Sequence, residues 1–114
     1  MRLDHTEFAS KGIVSEAVTQ KRIQDYLKAI GVYCARINVA GLRRKGVWTK
    51  SGATKGVSDL VAIVKGVVYW IEVKKVGEKQ SEEQIEFQKN VEANGSVYIL
   101  AFSVNDVRAY LEQK

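Results

Sequence analysis

Asp59, Glu72 and Lys74 form a combination able to hydrolyse a phosphodiester, provided the chain brings them together. The runs at residues 60–64 and 67–73 are rich in valine and isoleucine. They flank Lys65-Gly66, which reads as a two-residue hairpin turn. Such a turn sets Val64 against Val67, Ile63 against Val68 and Val61 against Trp70, and so sets Asp59 against Glu72. Directly opposed residues hold their Cβ atoms about 4.5–5.5 Å apart, a separation at which two carboxylates repel. A divalent cation between them removes the repulsion. Lys74 lies two residues beyond Glu72 and falls on the same side of the strand. Carboxylate oxygens suit Mg2+, which usually takes one or two of them together with substrate phosphate oxygens. The neighbouring ammonium then orients the attacking water or stabilises charge developing on phosphorus. A bulge in the hairpin would move one acid to the opposite face.

An acid two residues before a lysine on a strand is also a common exposed ion pair of little energetic weight. Glu72 departs from that pattern because it interrupts the apolar run Val67-Val68-Tyr69-Trp70-Ile71 and Val73. A strand apolar on both faces is a buried one, where an uncompensated acid is costly.

The elements that must hold these residues follow from periodicity. A helix is expected over 15–30, with Ile23, Leu27 and Ile30 on one face and Gln20 and Glu16 continuing it backwards. Gly31 stops it. A strand is expected over 32–39, then the hairpin. Ser81 opens a second helix, with Gln84 placed for a capping box and Asn94-Gly95 closing it. A strand over 97–102 precedes a last helix capped by Ser103, in which Val104, Val107, Tyr110 and Leu111 recur at helical spacing. Tyr26, Phe87, Tyr98, Phe102 and Tyr110 follow core periodicity. The order is α-β-β-β-α-β-α, an α/β fold in one domain spanning 1–114.

Hydrophobic residues make up 46% and charged residues 27%, which excludes a disordered or fibrous chain. No apolar run is long enough to span a bilayer, and the first residues lack the apolar core of a signal peptide. A single cysteine, Cys34, excludes an intrachain disulfide and a zinc cluster. The expectation is a cytoplasmic protein with no membrane partner and no organic cofactor. The net charge is +5, and its distribution is uneven. Arg36, Arg43, Arg44, Lys45, Lys50 and Lys55 occur within twenty residues that contain no acid, leaving twelve basic and thirteen acidic residues elsewhere. Interrupted by Gly41, Gly46 and Gly52 and followed by Gly56, this block reads as a basic loop suited to a polyanion, through release of condensed counterions. A solvated loop that maintains solubility has the same charge. Trp48 lies among these cations, where an aromatic ring stacks on an unpaired base or anchors the loop on the sheet.

Taken together, Gly56-Val57-Ser58-Asp59-Leu60, Trp70-Ile71-Glu72-Val73-Lys74 and Ser81-Glu82-Glu83-Gln84 resemble the VRR-NUC domain, a virus-type replication-repair nuclease branch of the PD-(D/E)xK superfamily. The resemblance runs from the Glu16 helix to the strand after Gly95 and is strongest to short stand-alone phage and bacterial versions. It implies a restriction-endonuclease-like, Holliday-junction-resolvase-like fold: a central mixed β-sheet flanked by helices. It also implies a Mg2+-dependent endonuclease, with Mn2+ able to substitute, in the cytoplasm of a bacterium or a phage-infected host. On this pattern Asp59 and Glu72 hold metal with the Val73 carbonyl, and Lys74 positions or activates water. Glu16 matches the family's helical acid, binding metal directly or through water. Gln84 matches the glutamine after the core motif and would support Lys74 or a phosphate. Stand-alone members resemble junction resolvases that act as homodimers on branched DNA in repair. One departure is Ser58, where the family usually has proline; this alters turn rigidity and removes no ligand.

Glu16 in a helical first turn is explained equally by the helix dipole. A capping box alone accounts for Gln84, and on the sequence the capping and site roles exclude one another, with Gln88 as a substitute one turn later. Two other functions fit the same residues: a DNA-binding module without catalysis, and a nuclease subunit active only inside a larger complex.

Overall fold

A computed structural model describes residues 14–37 and 54–112. The elements follow the expected order: α1 (Glu16–Ala29), β1 (Tyr33–Arg36), β2 (Leu60–Val64), β3 (Val67–Val73), α2 (Glu82–Ala93), β4 (Val97–Ala101) and α3 (Val104–Glu112). The four strands form one sheet in the order β1-β2-β3-β4. β1 and β2 run antiparallel, as do β2 and β3, and β3 pairs with β4 in parallel, so the sheet is mixed.

The β2–β3 hairpin has the even register inferred above: Val64 pairs with Val67, Ile63 with Val68 and Val61 with Trp70. Lys65 (φ 50°) and Gly66 (φ 83°) both adopt the left-handed conformation that a type I′ turn demands at its two central positions. No bulge intervenes in the ladder up to Leu60 and Ile71.

Alternation along the strands separates two faces. Leu60, Ala62, Tyr69, Ile71, Val73, Ile99 and Ala101 point to one of them and bury against Ile23 and Leu27 of α1 and Val107 of α3. This is the main core, and removing that much apolar surface from water is its principal driving force. On the opposite face α2 packs over β4. Phe87 meets the Trp70 ring edge-on at 5.2 Å and the Tyr98 ring at 6.2 Å. The Trp70 indole N–H donates to the Ser96 hydroxyl at 2.9 Å, and that hydroxyl donates to the Val68 carbonyl at 2.9 Å.

The helix starts are set by side chains. The Ser15 hydroxyl accepts from the Val18 amide at 3.2 Å, leaving Glu16 in the first turn of α1. Ser81 and Gln84 form the complete capping box of α2. α3 starts just after Ser103, as expected, and the Asp106 carboxylate reaches back to accept from the amides of Phe102 (2.7 Å) and Ser103 (3.2 Å). Ile30 and Tyr110, expected in the core, are exposed: Ile30 has passed beyond the last turn of α1 as its C-cap, and Tyr110 lies off the buried line of α3. The strand expected over 32–39 is described only to Ile37, and its ladder with β2 covers Tyr33–Arg36. Among the described residues, no helix is long and apolar enough to cross a membrane.

Candidate active site

The hairpin register, continued one residue beyond the ladder, brings Asp59 to the end of β3. There one Asp59 carboxylate oxygen accepts from the Val73 amide at 2.8 Å, while the Asp59 carbonyl accepts from the Ile37 amide at 2.8 Å. The same residue thus fastens β1 and β3 and places its acid beside Glu72. Ser58, where a proline would be usual in the motif, is completely buried, and its hydroxyl donates to the Leu60 carbonyl at 3.0 Å. This local link constrains the approach to Asp59 by a hydrogen bond, where a proline would constrain it by a ring.

Glu72 is 3% exposed. One carboxylate oxygen accepts from the Gln84 side-chain amide at 2.9 Å; the other, Oε1, is buried and has no hydrogen-bond partner among the described residues. Burial drives the Glu72 pKa up to about 8, reinforced by the nearby Asp59 charge, while Lys74 pulls in the opposite direction. Lys74 follows on the same side of β3, half-buried, its amide donating to the Ala101 carbonyl at 3.0 Å.

The mutual exclusion expected for Gln84 is overturned. Its Oε1 accepts from the Ser81 amide at 2.8 Å, completing the capping box, while its Nε2 reaches Glu72. An amide has separate donor and acceptor ends, and the two roles use different ends. Its partner is also Glu72, where Lys74 or a phosphate was expected. Gln88 is directed elsewhere, to Gln80 at 3.0 Å and Glu92 at 3.2 Å.

Glu16 is brought to the same end of the sheet, close enough for its charge to be felt at Glu72 and for Asp59 and Lys74 to be felt at Glu16. Its carboxyl bonds to Glu78, a residue without a sequence-based assignment. That hydrogen bond is the chief cause raising the Glu16 pKa and lowering that of Glu78. Glu78 is fixed by a turn over 75–78, with Gly77 at φ 95°, and accepts from the Lys75 amide at 2.9 Å. Nothing in the spacing of Glu78 distinguishes it from a solvated turn acid. Among the described residues, no three acid, histidine or cysteine side chains converge as a ready-made metal cage. The acids meet in twos, Asp59 with Glu72 and Glu16 with Glu78.

Gly56 closes the site from behind. It adopts φ 80°, and a Cβ there would lie 2.8 Å from the Gln84 nitrogen and collide with the Glu83 carbonyl. The segment leading to Asp59 therefore lies directly on the backbone of the first turn of α2, the turn that holds Gln84. Of the basic block, Arg36 ends β1 exposed and Lys55 is exposed just before Gly56. Arg43, Arg44, Lys45, Trp48 and Lys50 lie outside the described residues.

No family model matches the sequence, and no curated protein is detectably similar to it. A solved structure described as a "VRR_NUC domain" superposes with a TM-score of 0.65 at 23% identity, over 85% of this chain and 94% of the other. The fold is that of a VRR_NUC domain.

Proposed function

We propose that the protein is a metal-dependent, structure-specific DNA endonuclease acting on branched DNA, as a homodimer. The observation that carries the reading is the buried Glu72 carboxylate beside Asp59, with one oxygen satisfied by Gln84 and the other without a partner among the described residues. A buried polar atom without a partner is costly, and native structures keep one where function requires it.

The donor set fits a hard divalent cation. Asp59 and Glu72 would supply carboxylate oxygens, the Val73 carbonyl is at the same strand end, and the Glu16 charge is felt at Glu72. Two carboxylates plus phosphate oxygens and waters complete the coordination that Mg2+ prefers, without a cage of three acids. Held there, Mg2+ or Mn2+ supplies charge neutralisation for the scissile phosphate and lowers the pKa of water.

The chain's own groups do the rest. Gln84 fixes Glu72 in one orientation, and the Val73 amide does the same for Asp59. Lys74 orients the attacking water or stabilises negative charge on the non-bridging oxygens as the phosphorus passes through its transition state. The water oxygen bonds to phosphorus and the bond to the 3′ oxygen breaks, giving a 5′-phosphate and a 3′-hydroxyl. Arg36, Lys55 and the intervening cations of the sequence hold flanking phosphates.

Asp59→Asn separates this reading from a binding module. Metal-dependent cleavage should disappear while DNA binding is kept or tightened, because a repelling carboxylate is gone. Loss of binding in a protein that never cut would favour the module.

A further inference from the structure

The sheet face that carries Asp59 and Glu72 is only partly covered. α2 lies over its β4 side. On its β1–β2 side the register places Tyr33, Ile63 and Val68 in one row and Ala35, Val61 and Trp70 in the next. Asp59 and Glu72 form the row after that. Tyr33 is 64% exposed and Ile63 43% exposed, and among the described residues no helix packs over this half of the face. Apart from Glu72, the strands β1, β2 and β3 contain no acid. Arg36 ends β1 exposed, and the acid-free basic block follows directly in sequence.

We infer that this surface, with Tyr33 at its outer end, stacks an unpaired nucleobase of a DNA strand whose backbone passes over Asp59 and Glu72. The inference rests on the nuclease reading above and narrows its substrate to branches with a single-stranded arm, flaps or splayed ends, over fully paired four-way junctions. Tyr33 stands four residues along the strand from the acid row, about 13 Å at the rise of a β-strand. That spacing lets one continuous strand reach ring and acids together. A phenol ring at a sheet edge offers a base a π-face without demanding a sequence. A second copy of the chain fits less well. Two exposed side chains and four half-buried ones, Ala35, Val61, Val68 and Trp70, fall short of the ~800 Å² per partner of a stable interface. The proposed dimer therefore uses another face.

The test is fluorescence anisotropy of a labelled oligothymidylate in EDTA, which suppresses cutting, with wild-type protein, Tyr33→Ala and Tyr33→Phe. Tyr33→Ala should bind about tenfold more weakly, the scale of one lost base stack, and Tyr33→Phe within about twofold of wild type. Replacing the bases by abasic sites should bring wild type down to the level of Tyr33→Ala, and duplex binding should not change. Equal binding by wild type and Tyr33→Ala, or an unchanged affinity for the abasic strand, overturns the inference. So does a fall in sedimentation mass on Tyr33→Ala, which would assign the face to self-association. Metal-dependent cleavage is read separately on the same preparations: stacking without cleavage counts against the nuclease reading, and cleavage without stacking counts against this inference alone.

Discussion

Glu72 is held between two demands. Buried among apolar strands it resists ionisation, yet holding a cation requires the carboxylate. With its pKa lifted from 4.5 to about 8, the unfolded chain gives up this proton well before the folded one. Metal-free protein should therefore be most stable below pH 4.5 as far as this group is concerned, and lose stability as pH rises from there to about 8. Thermal melts in EDTA should show that slope in wild type and lack it in Glu72→Gln; an identical slope in both would place the burden on other groups. Metal binding must expel the proton, so apparent Mg2+ affinity should increase with pH through the same interval. Gln84→Ala removes the donor to Glu72 and half of a capping box together. It should cost about 1–2 kcal/mol in denaturant melts and also slow cleavage, whereas a residue with only a capping role would affect the melts alone.

At the level of elements, the segment Gly56–Asp59 and the first turn of α2 behave as one unit, because the backbone at Gly56 rests on Glu83 and Gln84. Gly56→Ala should destabilise by roughly 2 kcal/mol or more, since it combines a left-handed backbone with a collision against a helix. Gly66→Ala is the control: it has the same sign of φ but open space around it, so its cost should stay near ~1 kcal/mol. Near-equal losses would show that packing on α2 contributes nothing. The elements themselves were largely legible in the sequence. A two-residue turn fixes a register, alternation fixes the faces, and so the meeting of Asp59 with Glu72 follows from counting. Three features were not legible. Gln84 serves two partners because its amide ends diverge in space, and Glu78 reaches Glu16 only through a tertiary turn. The closeness of Gly56 to α2 joins segments far apart in the chain, for which local spacing carries no signal.

At the scale of the whole molecule, the proposed function would have a small domain with a net charge of +5 meet DNA chiefly through phosphates. Affinity should fall steeply and linearly on a log–log plot against salt, with a slope set by the number of phosphates neutralised. A shallow slope would point to a protein partner for the basic block. The central claim is that one end of this sheet hydrolyses DNA when Asp59 and Glu72 share a cation. Its most direct measurement incubates wild type and Asp59→Asn with labelled flap, four-way junction and linear duplex, each in Mg2+, Mn2+ and EDTA. A branched substrate should be cleaved in either metal and not in EDTA, with a loss of roughly a hundredfold or more in Asp59→Asn and binding intact. Cleavage that persists in EDTA or in Asp59→Asn, or tight binding with no cleavage in any metal, would contradict this claim.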